Sequence, residues 1–293
     1  MPRYPPDPGW LRPPGRSMVR AMAQPDTAIP AKGALVFRQR LSTRLWHWVN
    51  AAALVILLMS GLMIFNAHPR LYWGEYGANF DTAWLEIGAT ASDRGLMRIG
   101  PVRVETTGVL GVFTAGDGTV RRDAFPGWAT IPATYNLAAA RIWHLAFAWV
   151  LATGLLLYLV WSLVNGHIRR DLHITRREWA PAALWQDVRA HLRLPLPLQT
   201  RYNTLQKIAY AAVLFGLLPV MIATGLAMSP AMDAAWPWLS AVWGGRQSAR
   251  SIHFIAAFAL VAFVIVHIAM VVLAGPLNGL RSMITGWHRG PAE

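Results

Sequence analysis

Arg250-Ser-Ile-His253-Phe-Ile-Ala-Ala-Phe-Ala-Leu260-Val-Ala-Phe-Val-Ile-Val-His267-Ile-Ala-Met-Val-Val-Leu-Ala274 decides the fold. From Ile252 to Ala274 it runs 23 residues without one Asp, Glu, Lys or Arg, and crossing a bilayer takes about 20 helical residues. Only a helix satisfies its own backbone there. Inside this apolar run sit two histidines, and ionisable groups at membrane depth are costly enough to imply a function. Positions 253 and 267 are 14 apart. At 100° per residue the two rings fall within about 40° of one another on a helix face, separated by ~21 Å along the axis.

Three more stretches match this length and polarity, giving spans of about 46–65, 142–163, 208–228 and 252–274. The fold class expected is an all-α integral membrane protein, a four-transmembrane-helix bundle. Of the 293 residues 55% are hydrophobic and 14% charged, against about 25% charged in soluble domains. Pro219 inside the third span predicts a kink rather than a break. The formal charge of +13 is a matter of topology, not of nucleic-acid binding, because the basic residues lie between the apolar runs. The segments on the side of the two termini hold 18 Lys+Arg against 6 Asp+Glu, the opposite segments 9 against 8. The positive-inside rule therefore places both termini in the cytoplasm. With no cysteine, the chain cannot build an iron–sulfur cluster, a thiolate zinc site or a covalently attached haem.

His47 opens the first span and His144 the second. Alternating topology puts His144 level with His253 at the outer side, and His47 level with His267 at the inner side. Two inward-facing pairs at two depths are what two stacked, non-covalent, bis-His b-type haems require, with iron ligated by His47/His267 and His144/His253. Arg44, Arg141 and Arg250 each precede one of these histidines by three residues, one helical turn nearer the water. Two readings of them stand open: binding of haem propionates, which Arg does bidentately, or snorkelling to the interface. Gly61 lies 14 residues after His47, admitting either a close porphyrin or tight helix packing.

Residues 1–33 are Pro- and Arg-rich without an apolar stretch, which predicts a disordered cytoplasmic lead rather than a signal peptide. The membrane domain is expected over 34–287 and a cytoplasmic tail over 288–293. The insertion at 66–140 is punctuated by Gly and Pro, with an Asp117–Gly118 pair suited to a hairpin. It reads as a small, partly β-structured extracytoplasmic cap with a docking role. The Asp233–Trp243 stretch reads as an interfacial helix, since Trp favours that depth. His68, His167, His173, His191 and His288 lie in loops or tails and read as ordinary interfacial histidines.

The Arg44-Leu-Trp-His-Trp48 opening, the 253/267 spacing and Tyr202-Asn203-Thr204-Leu205-Gln206-Lys207 before the third span resemble the bacterial di-haem cytochrome b family. That family includes nickel–iron hydrogenase b subunits, formate dehydrogenase gamma subunits and thiosulfate reductase cytochrome b subunits. The resemblance covers about 37–287 but little of the cap. It implies a bacterial inner-membrane subunit with two haem b groups. Such a subunit moves electrons between an extracytoplasmic redox partner (a hydrogenase-like or molybdenum enzyme, or a cytochrome c) and quinone. It also implies a quinone near Asn203 and His267, with Gln206 and Lys207 close by. From the residues alone, Asn as a cap and Lys as a topology signal explain that motif equally well. The cap leans toward partners of the sulfite-oxidase-like molybdenum type.

Two other classes remain open on the residues. A stand-alone di-haem oxidoreductase acting on a small molecule such as superoxide would use a basic funnel from Arg141, Arg246 and Arg250. A non-redox anchor or transporter would use internal repeats. Only a weak repeat exists: Ser60-Gly61-Leu62, Thr153-Gly154-Leu155 and Thr224-Gly225-Leu226.

Overall fold

The computed structural model describes residues 35–166, 168–192 and 203–289. The lead over 1–33 and the end of the tail lie outside the described residues, as do His167, Tyr202 and the side chain of His191. In chain order the helices are α1 (Leu41–Asn66), α2 (Leu137–Val164), α3 (Pro181–Leu192), α4 (Thr204–Ala227), α5 (Pro230–Ala235), α6 (Trp238–Ala241), α7 (Arg246–Leu273) and α8 (Pro276–Thr285). The strands are β1 (Leu35–Phe37), β2 (Arg70–Leu71), β3 (Leu85–Ala89), β4 (Gly95–Ile99), β5 (Val102–Glu105), β6 (Phe113–Thr114), β7 (Val120–Arg121) and β8 (Trp287–Arg289).

Four helices are long and apolar enough to cross a membrane: α1, α2, α4 and α7. The protein is a multi-pass membrane protein. Each helix starts four to six residues before the expected apolar boundary, because helical backbone continues through the residues around Arg44, Arg141, Lys207 and Arg246 that precede each apolar run. Asn136 caps α2 by accepting from the Ala139 N–H, and Asn203 caps α4 from the Gln206 N–H. In α4 the residues Ala212–Leu217 wind as a wider π-helical turn just before Pro219. Pro219 has no N–H and its ring crowds the turn before it, so α4 relaxes there while remaining one helix.

The bundle closes on Leu151 and Leu155 of α2, Leu218 of α4 and Leu260 of α7, with Trp46, Leu54, Leu57 and Met221 against them. Leu260 is seven residues from both His253 and His267, so this apolar plug lies between the two histidine levels. Leu145, Trp149, Leu156, Leu157, Trp161, Ile265 and Ile268 point outward and exposed, as they must where lipid is the solvent.

The insertion between α1 and α2 folds as an antiparallel sheet in the order β2-β3-β4-β5, with Ile87 opposite Met97 and Met97 opposite Val104. Leu85 and Ile87 alternate inward and join Leu71, Phe125 and the last turn of α1 through Phe65. The Asp117–Gly118 pair turns the β6–β7 hairpin, with the Asp117 carboxylate accepting from the Thr119 N–H. Asn66 ties the insertion to α1 through both the N–H and the carbonyl of Phe125.

The insertion then seats on the first turns of α7. Ser248 Oγ accepts from Gly74 N–H at 2.7 Å, and the Gln247 and Ser248 N–H groups donate to the Gly74 carbonyl at 3.1 Å. Ser251 Oγ donates to the Tyr72 carbonyl at 2.6 Å and accepts from Trp84 Nε1 at 2.9 Å. Gly245, at φ +105°, starts α7 where a Cβ would lie 2.6 Å from Glu75 Cα.

Three features depart from the expected plan. The interfacial helix at Asp233–Trp243 is two short helices, α5 and α6. Pro237 forces the break, being unable to donate and holding Trp236 out of the helical region at φ −137°, ψ 74°. At the termini β1 pairs antiparallel with β8, bringing Val36 opposite His288, so His288 and Arg289 of the expected tail belong to a strand. Arg44 donates to the Ile284 and Thr285 carbonyls and Trp48 Nε1 to that of Met283, fastening α8 across the start of α1.

On the α4 side Lys207 Nζ meets Glu178 Oε1 at 2.6 Å and the His173 carbonyl at 3.2 Å. The Lys207 hydrogen bond, helped by the Thr175 N–H, holds the Glu178 carboxyl down to about 2 from its ordinary value near 4.5.

A depressed carboxyl stabilises the fold above its unfolded pKa and loses that contribution as pH falls through the folded one. The thermal-stability gap between wild type and Glu178→Gln is therefore expected at pH 7 and closes between pH 4.5 and pH 2; a gap independent of pH contradicts the ion pair. Gly245→Val is expected to unseat the insertion, exposing the Gly74–Trp84 segment to protease while circular dichroism keeps its helical amplitude. Unchanged proteolysis contradicts the seat on α7.

Candidate functional site

The bundle brings together the four span histidines in two pairs. His144 of α2 faces His253 of α7 with ring centroids 6.3 Å apart, and His47 of α1 faces His267 of α7, also at 6.3 Å. The rings are tilted at 58° and 55° and do not stack. Two imidazoles bound to opposite sides of one metal ion at about 2 Å per bond place their centroids roughly 6 Å apart, so both separations leave the width of an ion. Among the described residues no three His, Asp or Glu side chains converge. Two imidazoles alone hold a metal weakly, so a metal held here would need further ligands of the kind that a porphyrin supplies.

The His144/His253 pair has a defined protonation pattern. Ser60 Oγ lies 3.1 Å from His144 Nδ1, and Thr224 Oγ1 lies 2.9 Å from His253 Nδ1. A hydroxyl carries one hydrogen. Ser60 gives its hydrogen to the Ile56 carbonyl at 2.6 Å, and Thr224 to that of Val220 at 2.6 Å. Toward the histidines both hydroxyls therefore accept, which puts the ring hydrogen on Nδ1 and leaves Nε2 with its lone pair. Fixing the second nitrogen in this way is how metal-ligating histidines are oriented.

The glycines beside those hydroxyls complete the cradle. A Cβ on Gly61 would come within 3.3 Å of His144 Cε1, and one on Gly225 within 3.5 Å of His253 Cε1. Gly154 serves a different neighbour, since its Cβ would meet the Trp46 ring at 2.6 Å. The Ser/Thr-Gly-Leu recurrence thus has a contact-level cause: α1 braces a histidine of α2, and α4 braces a histidine of α7. Ser60 and Thr224 are the functional residues that sequence reasoning missed. The His47/His267 pair is built differently. His267 stacks on Phe263 at 5.9 Å, and His47 Nδ1 is buried without a hydrogen-bond partner among the described residues.

The three arginines have different surroundings. Arg44 is committed to the carbonyls ending α8. Arg141 is exposed on α2 and makes no side-chain hydrogen bond among the described residues. Arg250 is half-buried, donating to the His68 carbonyl with its guanidinium 5.7 Å from the Phe65 ring. Arg246, the third member of the imagined basic funnel, donates to the Met228 carbonyl at 2.9 Å. Of the residues expected near quinone, Asn203 and Gln206 form a reciprocal capping box at the start of α4, and Lys207 pairs with Glu178. Those contacts are the capping explanation of the motif.

Comparison with known proteins agrees with this architecture. The profile of the prokaryotic cytochrome b561 family matches residues 38–286. A protein of Azospira oryzae, provisionally named protein-methionine-sulfoxide reductase subunit YedZ1, is 28% identical over 83% of this chain and 93% of its own length. A Cupriavidus necator protein, provisionally named Ni/Fe-hydrogenase B-type cytochrome subunit, is 24% identical over 84% of this chain and 83% of its own length. Escherichia coli YdhU, provisionally named a cytochrome, is 27% identical over 88% of this chain and 76% of its own length. No solved structure matches. With four spans, paired histidines at two depths and a family match across nearly all the described residues, the chain belongs to the prokaryotic cytochrome b561 family, a membrane b-type cytochrome that transfers electrons as a subunit of an oxidoreductase.

Proposed function

We propose that the chain carries electrons between an oxidoreductase docked on the insertion and quinone at the opposite side of the membrane. Two haem b groups would be held by His144/His253 on the insertion side and His47/His267 on the other. The observation that supports this most is the equal 6.3 Å spacing of the two pairs. Bound haem supplies one-electron exchange at iron, and the protein sets position and potential. The chain's own residues do the rest: Ser60 and Thr224 hold the outer ligands in the metal-binding tautomer, and the Leu151–Leu218–Leu260 plug keeps water from the space between levels. Arg250 and Arg141 stand where propionates would emerge, whereas Arg44 is occupied by α8.

Charge asymmetry supports a bacterial inner-membrane placement with residues 1–33 and the C-terminal end in the cytoplasm and the insertion outside. For the partner, support comes from relatives named as subunits of a methionine-sulfoxide reductase and of hydrogenases. A molybdenum enzyme remains the preferred class from the form of the insertion. Seating of the insertion on α7, with Arg246 and Arg250 turned to carbonyls, favours a docked protein over direct reaction with superoxide. Quinone binding at the α4 side rests on the family resemblance. It is supported by a groove of about 710 Å³ lined by Arg169, His173, Trp179 and Phe215, adjoining the carbonyl that Lys207 holds.

His253→Ala is expected to halve the haem-to-protein ratio of the purified chain, and His47→Ala to do the same by removing the other haem. An unchanged ratio in either variant contradicts the pairing. Thr224→Val is expected to keep the haem but weaken its retention by about 10–100-fold, the usual effect of removing a ligand's hydrogen-bond partner; retention equal to wild type contradicts that role.

A further inference from the structure

His68 falls in the short connection between α1 and β2, two residues after α1 ends. Its ring stacks on Tyr72 at 5.8 Å, and its Nε2 is buried without a hydrogen-bond partner among the described residues. The Arg250 charge is near enough to act on this ring: burial first, then Arg250 and Arg70, push the His68 pKa below its ordinary value. The ring is therefore neutral at pH 7, with one N–H to give.

Arg70 has a carboxylate, Glu86, at 2.6 Å. Arg250 has none among the described residues, only the His68 carbonyl and the face of Phe65. A half-buried cation without an anion and a buried ring nitrogen without an acceptor thus lie side by side. Each is costly alone, and one carboxylate with two oxygens satisfies both. The connection carrying His68 is not free to swing away, because Ser251 holds Tyr72 and Ser248 holds Gly74. Arg250 is also three residues before His253, on the same helix face and one turn nearer the end of α7. A group ligated by His253 would present its carboxylates at that end.

We infer that His68 and Arg250 together bind a propionate of the haem held by His144 and His253, which makes the insertion part of the cofactor site. This rests on the haem reading above. The structural role of the insertion then exceeds docking: His68, two residues past α1, hydrogen-bonds the cofactor that the insertion covers, beside the compensating charge of Arg250.

The test uses the full-length purified protein, with haem content and a spectroelectrochemical titration of both haems. His68→Phe keeps an aromatic ring for Tyr72 and removes the donor; His68→Gln keeps a donor. With the propionate charge less compensated, the ferric form gains, so His68→Phe is expected to lower the midpoint potential of one haem and leave the other unchanged, at two haems per chain. His68→Gln is expected to hold the wild-type value. Two haems with unaltered potentials in His68→Phe, or a Gln variant shifted as far as Phe, overturn the inference alone. A colourless wild-type chain overturns the haem reading and this one with it.

Discussion

A hydroxyl has one hydrogen to give, and in Ser60 and Thr224 it is already given to the carbonyl one turn back. Everything at the His144/His253 pair depends on that constraint. Each hydroxyl can only accept from the ring it faces, so the imidazole hydrogen sits on Nδ1 and the Nε2 lone pair is left over. In water such a lone pair finds a donor at once. Inside an apolar bundle donors are scarce, and a polar atom left unpaired there is expensive. A metal centre between the two rings would take both lone pairs at once. The same device appears twice, once from α1 to α2 and once from α4 to α7, each time with a glycine beside the hydroxyl to let the ring approach.

The two ends of the bundle are closed in different ways. At one, the insertion folds over the start of α7 through two serines: Ser248 bonds the backbone of Gly74, and Ser251 bonds the backbone of Tyr72 and the Trp84 side chain, with Gly245 leaving room for Glu75. At the other, α8 and the β1–β8 pair lie across the start of α1, held by Arg44 and Trp48 on either side of His47. Leucines 151, 155, 218 and 260 separate the two levels. An apolar cluster thus separates the two histidine pairs, and the two ends of the bundle are built from different elements.

Much of this was legible from the residues. Hydropathy located four spans to within a few residues, because lipid imposes one condition on every exposed position. The 3.6-residue period put His253 and His267 on one face, and alternation of topology assigned His144 and His47 to their levels. Contacts between helices were not legible in this way. Ser60 meets His144 across 84 positions, and its only trace in the sequence was a three-residue recurrence that apolar helices produce readily. His68 was set among ordinary loop histidines because nothing local reveals the Arg250 guanidinium beside it. The β1–β8 pair joins three residues at each end of the chain, too short for any pattern. The break at Pro237 was legible, and the density of tryptophan around it obscured it. For Asn203, Gln206 and Lys207 the sequence admitted capping and ligand binding alike, and the capping box and ion pair are what the fold displays.

The most direct test of the account is low-temperature electron paramagnetic resonance of the oxidised, detergent-purified chain, quantified against its haem-to-protein ratio. The account predicts two haems per chain, both low-spin ferric with bis-imidazole signatures and no high-spin signal near either. A single haem, or a high-spin centre that reports an open axial position, contradicts it.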